Sequence, residues 1–217
     1  MMNWFAGLTS ARLSLLMGGV GMTLFMAFVG VLIGMCGGVA GGVLSCRRLR
    51  HPLLSALIST YVFIVQGTPL FVQILILYLV LPTAPVVSVL VALGINSTAY
   101  ITQIVRAGIN AIPAGQWEAA FVLGYSTRGA LWHIILPQMA RNVLPALLNE
   151  VISLVKETSI VGAVGVYDLT KVIRDLGART FEPLPWYLCA AVLYLTITSI
   201  LGVLAKVVER RLEYDHR

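Results

Sequence analysis

The chain has 217 residues, 59% of them hydrophobic and 11% charged, with a net charge of +6. A soluble domain carries about 25% charged residues, so a mean hydropathy of +0.91 points to the lipid bilayer as its solvent. The positive charge does not suggest a nucleic-acid partner: basic residues gather at the ends of apolar segments, without a basic stripe interleaved with aromatics.

The expected fold class is an all-α integral membrane protein, one transmembrane domain over residues 1–217. Five segments reach the length of about 20 apolar residues that a spanning helix needs: residues 17–44, 53–81, 86–109, 143–166 and 187–208. The first apolar run far exceeds the about 7–15 residues of a signal-peptide core, and a retained span is expected. It carries Gly30, Gly34, Gly38 and Gly42 at intervals of four. On a helix these stack along one face and admit a second helix closely. Packing inside the same chain is expected there, a dimer seam being the alternative. Cys36, Cys46 and Cys189 are odd in number and read as small apolar fillers.

Within the second segment, Gln66-Gly67-Thr68-Pro69 interrupts the apolar run. Pro69 offers no N–H and sets its ring against the Val65 carbonyl, so the helix must kink or break. Broken helices in membranes expose backbone only where they line a cavity, and such groups bind solutes near the midplane. Gln66 lies roughly 20 Å along from Leu53 at 1.5 Å per residue. Gln66 and Thr68 are therefore candidate path residues. The stretch Pro82-Thr83-Ala84-Pro85 predicts a tight hairpin into the third segment. Asn96, roughly 15 Å into that segment, and Glu150, roughly 14 Å beyond Arg141 in the fourth, reach comparable depth. Both join the candidates, with interhelical hydrogen bonds or an ion pair as the structural alternative. Lys156 and Glu157 are adjacent and point to different helix faces.

Between the third and fourth segments, residues 113–141 are polar yet rich in helix formers. Pro113-Ala114-Gly115 resets the chain. Residues 116–123 predict a short helix, with Glu118 near its positive N-terminus and Ala119 and Ala120 keeping one face small. Gly124 supplies a left-handed stop. Ser126 then caps a second helix running through His133, which Pro137 ends. Such a pair makes a knob that another protein's groove could hold. A helix lying on lipid through Trp117, Phe121 and Trp132 is the alternative.

Arg47, Arg48 and Arg50 follow the first span; Arg106, Arg128 and Arg141 flank the loop; Lys206, Arg210, Arg211 and Arg217 follow the fifth. Arg12, Lys171, Arg174 and Arg179 fall on the opposite side. The richer set marks the cytoplasmic side, with the N-terminus outside and the C-terminus inside.

Glu118-Ala119-Ala120, three residues, Gly124, nine residues, Ile134, one residue, then Leu136-Pro137 resembles the loop by which permease subunits of ATP-driven importers dock onto their ATPase. Gln66-Gly67-Thr68-Pro69-Leu70, Ala99-Tyr100-Ile101 with Ile104-Val105-Arg106, and Leu154-Val155-Lys156-Glu157-Thr158-Ser159 resemble polar amino-acid ABC permeases of the histidine, arginine and glutamine type. Two positions depart from that pattern: the subfamily usually has Arg where Gln66 stands and often an acid where Gln103 stands. The resemblance implies a bacterial inner-membrane importer subunit. Its ATPase-coupling residues are Glu118, Ala119, Ala120, Gly124 and Pro137. Its partners are ATPase subunits, an external solute-binding protein and a second permease subunit. No cofactor, metal or catalytic group is expected. The chain has no phosphate-binding Gly-rich loop, and His51, His133 and His216 are scattered. A self-sufficient secondary transporter or channel is the other reading, against which the absence of an inverted repeat weighs.

Overall fold

A computed structural model describes residues 9–49 and 51–214. Arg50, His216 and Arg217 lie outside the described residues. All regular structure among the described residues is helical. Helix α1 spans Ser10–Ser45, α2 Pro52–Gln66, α3 Leu70–Val80 and α4 Pro85–Ala111. Then come α5 Ala114–Val122, α6 Thr127–Ala130, a wide π turn Leu131–Ile135, and α7 Leu136–Glu157. A 3₁₀ turn Thr158–Val164 leads to α8 Leu169–Thr180 and α9 Pro183–Tyr214.

The glycine stripe of α1 is a packing face, as expected, and α4 is what packs on it. Gly30 meets Leu93, Gly34 meets Ser97, Gly38 meets Ile101 and Gly42 meets Val105. The offset is the same at each step, so the helices run parallel and in register. The approach leaves no room for a side chain: a Cβ on Gly38 would sit 2.6 Å from the Ile101 Cβ. At the end of the pair the Arg47 N–H donates to Asn110 Oδ1 at 3.1 Å, closing the register.

The break expected at Gln66–Pro69 is present. Helices α2 and α3 meet at 101°, and the Tyr61 hydroxyl docks α2 on α4 by donating to the Ile95 carbonyl at 2.6 Å. The hairpin is also present, with Pro85 in the first turn of α4. Three single helices among the described residues are long and apolar enough to cross a membrane, Ser10–Ser45, Pro85–Ala111 and Pro183–Arg211; the bent α2–α3 pair makes four. The expected fourth span falls on α7 and the 3₁₀ turn. Arg141, Glu150, Lys156 and Glu157 make that segment more polar than the others.

The loop after α4 differs from expectation in three ways. Glu118 lies in the second turn of α5, whose first turn holds no acid, so the helix dipole does little for it. Ala120 and Trp117 are buried, at 0% and 2% exposure, against Ile112, Leu131 and Ile135, while Ala119 faces out. Arg48 covers the Trp117 ring at 5.4 Å. The aromatic is thus a core anchor rather than a lipid contact. Pro137 ends nothing; it sits in the first turn of α7. The π turn before it explains why. The Leu136 N–H bonds the Leu131 carbonyl five residues back, and this widening removes the clash a proline causes in a tighter helix. Two features hold as expected: Gly124 is left-handed at φ 82°, and Ser126 Oγ accepts from the Gly129 N–H at 3.2 Å.

Helix α8 has no counterpart among the elements expected from sequence. Asp168 caps it, accepting from the Thr170 and Lys171 N–H groups at 2.9 and 3.0 Å. Leu169, Val172, Ile173 and Leu176 form its buried face, packed with Leu16 and Trp186.

Candidate functional site

The α2–α3 break opens onto a cavity of about 520 Å³. One wall is the broken segment, Gln66 to Phe71; α4 supplies Asn96 and Tyr100, and the end of α7 with the following turn supplies Glu157 and Ile160. Three of the four path candidates thus come together: Gln66, Thr68 and Asn96. Glu150 lies seven residues before Glu157 on α7, about two turns and hence on the same side of the helix. The acid that lines the cavity is Glu157, and its Oε1 accepts from Ser153 Oγ at 3.4 Å.

The sequence explains the cavity's polarity. Pro69 stops α2's hydrogen-bond ladder, and in a bilayer each freed carbonyl needs a donor from the protein. Thr68 Oγ1 donates to the Ile64 carbonyl at 3.0 Å. Gln73 Nε2 donates to the Val65 carbonyl at 2.8 Å and lies within reach of Thr68 at its carbonyl and hydroxyl oxygens, 3.1 and 2.9 Å. Tyr100, Glu157 and Gln73 are not among the path residues expected from sequence. Tyr100 stands one turn after Asn96 and Gln73 one turn after Pro69, and that spacing is the signal that could have found them.

Gln66 Nε2 also donates to Gln103 Oε1 at 2.9 Å. The two departures from the family pattern are therefore one hydrogen-bonded pair. The other side-chain oxygen of the joint's glutamine, Gln73 Oε1, is buried with no hydrogen-bond partner among the described residues.

At the other end of α4 the α5–α6 knob presents Glu118, Ala119, Phe121, Val122, Leu123 and Tyr125 outward, with Val122 87% and Leu123 73% exposed. The Gln138 side chain ties it to α7, donating to Gln116 Oε1 at 3.1 Å. Exposed apolar side chains at a tip on a core-anchored base suit a protein groove. Among the described residues no group of His, Cys, Asp and Glu is arranged to hold a metal.

Residues 30–214 match the family of binding-protein-dependent transport system inner membrane components. The arginine transport system permease protein ArtQ of Bacillus subtilis (strain 168) is 34% identical over 218 residues, covering 98% of this chain and 99% of ArtQ. The histidine/lysine/arginine/ornithine permease HisM of Escherichia coli (strain K12) is 35% identical over 213 residues, 89% of this chain and 87% of HisM. A crystal structure of an amino acid ABC transporter with histidines superposes with a TM-score of 0.89 at 32% identity, covering 97% of this chain and 99% of that one. The chain therefore belongs to the inner-membrane permease components of binding-protein-dependent, ABC-type transport, among the amino-acid permeases.

Proposed function

We propose that this chain is the membrane subunit of an ATP-driven importer that carries a basic or neutral polar amino acid into a bacterial cell. One observation carries the reading: Gln66, Thr68 and Asn96 converge with Glu157 on one cavity at a helix break. A carboxylate there attracts a cationic or zwitterionic solute and repels an anionic one. Arginine, histidine or glutamine then suits it better than aspartate or glutamate, in keeping with the names of the relatives ArtQ and HisM.

The motor is a separate ATPase, docked on Glu118, Ala119 and the exposed tip of α5, with Ala120 and Trp117 as the anchor beneath. Gly124 and Pro137 hold the knob's shape. A second permease subunit closes the open side of the cavity, and an external binding protein delivers the solute. The α7 segment is the fourth of five spans, with Glu157 turned to the path; the N-terminus lies outside and the C-terminus inside.

Co-purification with candidate ATPase and binding-protein partners, then reconstitution in liposomes, tests this. ATP hydrolysis should rise when the binding protein carries its amino acid, with uptake in step. Gradient-driven uptake by the chain alone, without ATP, would instead establish a self-sufficient transporter.

A further inference from the structure

A second cavity, of about 530 Å³, adjoins the first. It follows α4 from Tyr100 past Gln103 and Gly108 to Ala111, with Asn142 and Ala146 of α7 beside it. Ala111 ends α4 at the knob, so this cavity covers about 16 Å of the helix on the knob side. The two chambers differ in chemistry. Gln66, Thr68, Asn96 and Glu157 line the first, whereas Ile104, Ala107, Ala111 and Val143 dominate the second.

Tyr100 lines both cavities. Gln66 lines the first alone, Gln103 the second alone, and the 2.9 Å hydrogen bond joins them. Gln103 is about one turn beyond Tyr100 on α4, so phenol and amide pair lie on one face of the helix, a turn apart.

We infer that the Gln66–Gln103 pair, beside Tyr100, is the seal a polar solute must open to pass between the chambers. The inference rests on the solute path proposed above. The chemistry suits a seal that opens in every cycle. An amide pair can part without leaving a charge unpaired, which parting an ion pair would do. Each freed amide still offers both donors and an acceptor to the passing solute. The pair also bridges two elements: Gln66 ends α2 at the break, and Gln103 sits on the α4 helix that packs in register on α1.

The test uses the whole complex in liposomes, measuring efflux of preloaded labelled amino acid without ATP alongside ATP-driven uptake. Gln103→Leu and Gln66→Leu keep nearly the side-chain size and remove the hydrogen bond. Each should raise efflux about five- to tenfold, the factor one net hydrogen bond supplies, with ATPase association unchanged. Gln66→Arg combined with Gln103→Glu should return efflux toward the wild-type value, while Gln103→Glu alone leaks. Unchanged efflux in both leucine variants would overturn the seal. So would an altered KM for uptake at wild-type efflux, which marks solute contact, or a double variant as leaky as its worse single. A wild-type complex that shows no ATP-driven uptake removes the importer reading, while the efflux comparison, needing no ATP, still decides the seal.

Discussion

Gln73 donates its side-chain amide to the Val65 carbonyl at 2.8 Å, the acceptor that Pro69, having no N–H, leaves open. The 101° break is thus a built joint, pinned from α3 by a single glutamine that also reaches Thr68. Gln73→Leu should destabilise the protein by about 1 kcal/mol, the worth of one net hydrogen bond, since Thr68 Oγ1 still reaches the Val65 carbonyl at 3.4 Å. Gln73→Glu should do more harm, because it aims a carboxylate at carbonyl oxygens. Thermal unfolding in detergent, compared with wild type, checks both; equal stability of all three would mean the joint does not depend on Gln73.

The α1–α4 register gives a second prediction. Gly38→Ala places a Cβ 2.6 Å from that of Ile101 and should cost about 1–3 kcal/mol by overpacking. Ile101→Ala in that background should recover part of the loss. Gly18→Ala and Gly21→Ala, where nothing lies within 4 Å, should leave the melting temperature near wild type. A Gly38→Ala protein as stable as these controls would contradict the packing account.

At Gly124 the cause is backbone alone. Its φ is +82°, and nothing lies within 4 Å of the point a Cβ would occupy, so Gly124→Val should cost about 1–2 kcal/mol of local strain. That strain would misplace the α5–α6 knob. The chain should still insert, and co-purification with the ATPase should fall or hydrolysis should lose its response to loaded binding protein. Gly124→Asn, which tolerates left-handed geometry better, should be milder. Full coupling in the valine variant would remove the knob from the mechanism.

Two acids on α7 can be ranked. Glu157 lines the first cavity, so Glu157→Gln should weaken uptake of a basic amino acid more than Glu150→Gln does. Competition uptake with arginine, glutamine and aspartate reads the ranking directly. Best transport of aspartate by the intact system would refute the electrostatic argument while leaving the family unaffected.

Much of this is legible in the sequence because it follows from local chemistry. Pro69 announces the break, Pro82 and Pro85 the hairpin, Gly124 the left-handed stop, and the four-residue glycine interval the close helix pair. What stays hidden depends on a partner far along the chain. Trp117 reads as an interfacial aromatic until Arg48 and Leu131 are seen around it. Gln66 and Gln103 stand apart as two unusual residues, and only the fold joins them. Glu150 stands out over Glu157 because depth along a helix is countable, whereas the start of the 3₁₀ turn at Thr158, which brings the neighbouring acid to the cavity, is not. Helix α8 is readable from the Asp168 cap and the 169, 172, 173, 176 spacing, but its charged residues make the segment look like a loop.

The constant offset between α1 and α4 sets how this molecule carries force. Two helices interlocked over four successive steps, and tied again at Arg47 and Asn110, are far stiffer than either alone. A displacement applied at the knob end would be carried along the pair toward Tyr100 and Gln103 with little bending. The α2–α3 elbow packs on that double beam through Val62 and Val65 against Ala99 and through Ile74 against Val89 and Leu93, with hydrogen bonds at Tyr61, Gln66 and Ser59. The glutamine pair is thus the polar tie in an otherwise apolar seam between beam and elbow.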